Sequence, residues 1–84
     1  MKFDNNDDLK NFALNLSKGL ERKGECVLAK ELEGWSTEFF TTATEFLGEL
    51  KLILMRIKDL QVLDQATKND VKECIRTIEK ALGM

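Results

Sequence analysis

Histidine, proline and tyrosine are missing from this sequence, and its 84 residues include only two cysteines and five glycines. Without histidine the commonest general acid or base at neutral pH is gone, and carboxylates, lysines and two thiols are left for any proton transfer. Gly19, Gly24, Gly34, Gly48 and Gly83 stand singly, so the chain has neither a Gly-rich phosphate loop nor a nucleophile elbow. Cys26 and Cys74 are too few for a disulfide framework, and neither has a second Cys or a His at zinc-ligand spacing. The expectation is a chain with no catalytic residue, no cofactor and no metal. Scarce glycine and absent proline leave few helix interruptions and argue against a sandwich or barrel, which needs many turns. Long apolar runs are lacking too: Met1 to Asp8 lacks the apolar stretch of a signal peptide, and no later segment is long and uncharged enough to span a bilayer. With so few cysteines, these features are expected of a cytoplasmic protein.

The residues that are present describe a folded domain. Hydrophobic residues make up 43% and charged residues 33%, a globular balance unlike that of a disordered tail. Thirteen basic and fifteen acidic residues give a net charge of -2, so no global field draws the chain to nucleic acid or an anionic membrane. The length fits one domain, residues 1–84, with one modest core. Domains this small are stable by a slim margin, which self-association would widen.

Apolar periodicity places three to four helices in a small all-α bundle. The first begins near the Asn/Asp cluster of Asp4 to Asp8, which can cap free N–H groups and complement the helix dipole. It carries Leu9, Phe12, Ala13, Leu16 and Leu20 on one face and ends at Gly24 in the left-handed conformation. A short second helix is expected from Glu25 to about Glu33, with Leu28, Ala29 and Leu32 inward and Gly34 as its stop. Trp35 to Thr41 reads as an aromatic loop or single turn. The third helix starts around Thr42, where Thr42-Ala43-Thr44-Glu45 has capping-box spacing, and reaches about Leu60 or Leu63. After a break at Asp64 to Asn69, Thr67 or Asn69 caps a fourth helix with the stripe Val71, Ile75, Ile78 and Leu82, bordered by Cys74. Gly83 closes it.

The run Gly24-Glu25, Leu28-Ala29, Leu32, then Thr44-Glu45-Phe46-Leu47-Gly48-Glu49-Leu50-Lys51, resembles a set of short helical bacterial proteins to which no function attaches. The resemblance covers the middle of the chain, and its residues are mostly helix punctuation and core. It implies a small helical bacterial protein and carries over no catalytic residue.

The third helix has two apolar faces. At about 100° per residue, Ala43, Phe46, Leu47, Leu50, Ile53, Leu54, Ile57 and Leu60 gather on a wide core face. Gly48, Leu52 and Met55 form a second stripe opposite, flanked by Lys51 and Lys58 on one side and by Glu45, Glu49 and Arg56 on the other. Burying a Leu or Met is worth about 1.5–3 kcal/mol, and a mid-helix Gly costs about 1 kcal/mol relative to Ala. Such a stripe is either covered by the fourth helix or the aromatic loop of the same chain, or reserved for a second chain. Gly48, Leu52 and Met55, with Trp35 and Phe39 alongside, are therefore the candidate protein interface, since aromatics and Met are enriched at such surfaces. Trp35, Phe39 and Phe40 can instead fill one end of the bundle.

Lys68, Lys72, Arg76 and Lys80 recur every four residues and make a basic ridge on the fourth helix, screened in part by Asp70, Glu73 and Glu79. This is the candidate patch for an anionic partner. Cys26, in the first turn of the second helix beside Lys23, is the one thiol placed for reactivity. Together these features point to a non-enzymatic protein-binding module of the immunity, inhibitor or adaptor type, its partner an identical or a different chain. The alternative is a regulatory nucleic-acid binder using the basic ridge, although no aromatic residues alternate with its charges.

Overall fold

The computed structural model describes residues 6–83. The protein is all-α. Its four helices are α1 (Asn6–Arg22), α2 (Cys26–Thr37), α3 (Ala43–Ile57) and α4 (Gln65–Ala81), with no strand among the described residues. They fall into two compact units, one ending at Phe39 and built from α1 packed on α2, the other starting at Phe40 and built from α3 packed on α4.

In the first unit α1 carries Asp7 and Asp8 in its first turn and Arg22 in its last, each complementing the nearer end of the helix dipole. Asp4 and Asn5, part of the expected capping cluster, lie outside the described residues. Leu9, Phe12, Ala13, Leu16 and Leu20 are all buried. Ser17 is buried among them, and its hydroxyl donates to the Leu14 carbonyl at 3.1 Å. The helix ends in a Schellman motif: Gly24 takes φ 85°, its N–H donates to Glu21 O, and the N–H of Glu25 donates to Leu20 O. That left-handed residue closes two otherwise open carbonyls and turns the chain within three residues into α2.

The expected stop at Gly34 is overturned, because α2 runs on to Thr37. A helical Gly costs about 1 kcal/mol, less than burial of the next residue returns, for Trp35 is only 3% exposed. The last turn is closed by its own hydroxyls: Ser36 Oγ donates to Glu33 O at 2.7 Å and Thr37 Oγ1 to Gly34 O at 3.2 Å.

In the second unit Thr42 caps α3 as expected, its hydroxyl accepting from the Glu45 N–H at 3.1 Å. The capping box is only half formed, since the Glu45 carboxylate accepts from the Thr41 hydroxyl at 3.2 Å instead. Phe40 meets Phe46 edge to face, with ring centroids 5.7 Å apart. α3 ends at Ile57, short of Leu60 or Leu63, although Leu63 is buried from the connecting turn. Asp64 then caps α4, accepting from the Thr67 N–H at 2.7 Å. The cap is thus earlier than Thr67 or Asn69, and the helix gains a turn over the expected one. Val71, Cys74, Ile75 and Ile78 make its buried stripe, and Gly83 has φ 76° just beyond its end.

Candidate protein-docking site on the third helix

The division of α3 into two faces is sharp. Phe46, Leu50, Leu54 and Ile57 are buried, the last three completely, while Leu52 is 61% and Met55 38% exposed. Ala43, expected inward, is exposed in the first turn, and Leu47 and Ile53 line the border of the buried face. At about 100° per residue, Gly48, Leu52 and Met55 stand within about 60° of one another on the outer side. Within the second unit, α4 packs on the opposite face of α3 and leaves Leu52 largely exposed.

Gly48 sits at the middle of this side, and a Cβ built on it would meet nothing within 4 Å. Packing among the described residues therefore gives no reason for a glycine there. Gly48→Ala is expected to raise the unfolding free energy of the dilute protein by about 0.5–1 kcal/mol, as removal of a helical glycine does; urea unfolding followed by circular dichroism measures it.

The two flanks differ. The Lys51 side chain is only 19% exposed, and its Nζ lies 3.2 Å from Glu79 Oε2 on α4, an ion pair that spans the two helices and neutralises Lys51, leaving the charge of Lys58 on that flank. Being partly solvated, it contributes at most about 1 kcal/mol. Glu45, Glu49 and Arg56 on the other flank are exposed.

Of the two aromatics assigned to the same surface, Trp35 has to be corrected. At 3% exposure it is buried in the last turn of α2 and is not a surface residue, as large aromatics usually supply core area. Phe39, in contrast, is 88% exposed after the end of α2. Val27 and Val62 are also exposed; Val27 stands between Cys26 and Leu28 and Val62 between Gln61 and Leu63, so adjacency to apolar residues hides their exposure from the sequence.

On α4, Lys72, Arg76 and Lys80 are exposed and Lys68 half-buried. None of the four takes part in an ion pair among the described residues. Glu79, expected to screen this ridge, is turned to Lys51 instead.

The two thiols are free, Cys26 exposed and Cys74 buried. Burial, with a smaller contribution from the Glu73 carboxylate, pushes the Cys74 thiol up from about 9.0 to about 12. One thiol per chain should therefore react with a disulfide reagent in the native protein, and two after denaturation. The folded chain keeps the Cys74 proton where the unfolded chain releases it, so stability falls as pH rises above about 9, by at most about 1.4 kcal/mol per pH unit. Unfolding titrations at pH 8 and 10 on wild type and Cys74→Ala check this, the variant showing the shallower decline.

Among the described residues no group of three His, Cys, Asp or Glu side chains is placed to hold a metal ion, and no helix is long and apolar enough to cross a membrane. No protein-family model, curated protein or solved structure matches the chain.

Proposed function

We propose that this chain is a non-enzymatic protein-binding module that docks on another chain through the outer face of α3. The observation that carries this reading is the exposure of Leu52 and Met55 on a helix whose opposite face is completely buried. With Leu52 61% and Met55 38% exposed, the pair leaves about 1.5–3 kcal/mol of apolar burial unrealised in total, which a small domain regains only when that face is covered. Immunity proteins, inhibitors and adaptor subunits of bacteria are the kinds of small helical protein that work this way. A reducing, cytoplasmic compartment suits the two unpaired thiols.

The test compares wild type with Leu52→Lys as immobilised bait. Leu52 is exposed, so the variant keeps its helix content. A protein retained by wild type and lost by the variant supports the reading; equal retention by both overturns it.

A second reading is favoured by the exposed cations of α4, which are not committed to ion pairs among the described residues. In it Lys72, Arg76 and Lys80 meet nucleic-acid phosphates, with affinity falling steeply as salt rises. Mixed-sequence DNA and RNA at low salt decide it, with Arg76→Glu weakening any binding seen; no binding ends it.

A further inference from the structure

The outer face of α3 is complementary to itself. Resting on the reading of that face as a docking surface, we propose that its occupant is a second copy of this chain, with the two α3 helices antiparallel about a two-fold axis at the level of Leu52.

Such an axis sets each residue level with the residue as far beyond Leu52 in the second copy as it lies before Leu52 in the first. Leu52 then meets Leu52. Gly48 lies four residues before the axis and Met55 three after it, so the Met55 of one copy comes within about 1.5 Å of the height of Gly48 in the other, one residue's rise. Glu49 lies three before and Arg56 four after, and the same small offset brings each carboxylate beside a guanidinium.

The flanks agree with the heights. Around the helix, Gly48 and Met55 fall on one side of Leu52, and Glu49 and Arg56 on the other, at about 100° per residue. An antiparallel two-fold pair sets like flank against like flank, so the large side chain covers the small residue and opposite charges meet, twice over. A parallel pair would set Glu49 against the other flank and leave Gly48 without Met55 over it.

Lys51 does not oppose the pairing, because Glu79 of its own chain neutralises it at 3.2 Å. The one like-charged meeting is between Glu45 and Asp59 at the rims. There Glu45 accepts a hydrogen bond from Thr41, and Asp59 lies beyond the end of the helix. Gly48 thereby acquires a reason that packing among the described residues of one chain does not supply. The face is short, at the low end of specific interfaces, so the dimer should depend on protein concentration.

Light scattering of the full chain in reducing buffer, from about 1 μM to 1 mM, should show a monomer passing to a dimer. Leu52→Lys should weaken the dimer at least about tenfold. Glu49→Arg and Arg56→Glu should each weaken it several-fold at low salt, and the two together should recover much of it, since an opposed pair of opposite charges forms again although the contact Arg56 makes within its own chain is lost. Gly48→Ala should stabilise the monomer yet weaken the dimer, its Cβ standing where Met55 of the second copy sits. A monomer over the whole range overturns self-docking, while capture of a different protein that Leu52→Lys abolishes would still stand for the docking face. A dimer indifferent to Leu52→Lys also overturns self-docking through this face, and the comparison of wild-type and Leu52→Lys bait then decides the docking surface by itself.

Discussion

Leu54→Ala is expected to lower the free energy of unfolding by about 2–5 kcal/mol, and Leu52→Ala by no more than about 0.5 kcal/mol. The same residue type stands two positions apart on one helix, with the same chemistry deleted. Leu54 is completely buried and Leu52 is 61% exposed, so the first truncation opens a cavity and the second removes a solvated branch. Against a total stability of about 5–15 kcal/mol, and nearer the lower figure for so short a chain, the Leu54 variant should be partly unfolded at room temperature. Urea unfolding followed by circular dichroism on dilute protein measures both. A large loss at Leu52 under those conditions would mean that the outer face is packed, and would remove it as a docking surface.

The second large effect belongs to Trp35. Trp35→Ala is expected to lose about 3–5 kcal/mol, the range for deleting a buried aromatic, whereas Phe39→Ala, four residues later at 88% exposure, should change little. Trp35 is the only tryptophan, so its fluorescence reports on the same burial. Acrylamide should quench it weakly in the native protein and strongly in urea. Strong native quenching would contradict the burial.

The pairing of Trp35 with Phe39 shows where residue patterns were legible and where they failed. Three aromatics and several hydroxyl residues in seven positions look like a loop when read locally. Propensity carries no information on which ring finds a core, and Gly34 directly before Trp35 looked like a stop. Tertiary burial overrode it, and the hydroxyls of Ser36 and Thr37, expected in a loop, close the helix instead. Legible from the outset were the signals whose physics is local: Gly24 turning left-handed, Thr42 capping three residues before Glu45, and the four-residue beat of Leu16, Leu20 or of Val71, Ile75. The start of α4 lay between these cases. Asp64, Thr67 and Asn69 can all cap, and an apolar run continuing through Leu60, Val62 and Leu63 extended the apparent third helix across the true turn.

The candidate site was legible for a related reason. Gly48, Leu52 and Met55 were separable from the core face by angle alone, a property of one helix that needs no knowledge of its neighbours. What angle could not give was whether another element covers them, nor that Glu79 would leave the basic ridge for Lys51. Both are facts of packing between helices.

Each helix packs on the one adjacent to it in sequence, α1 on α2 and α3 on α4. The chain entropy lost in bringing partners together is consequently that of closing short connections, Lys23 to Glu25 in one case and Lys58 to Asp64 in the other. Proteins with such local topology fold in microseconds to milliseconds, and no prolyl bond is present to add a slow phase. During synthesis α1 and α2 are both complete once Thr37 has left the ribosome exit tunnel. The first hairpin can then pack α1 on α2 before α3 has emerged.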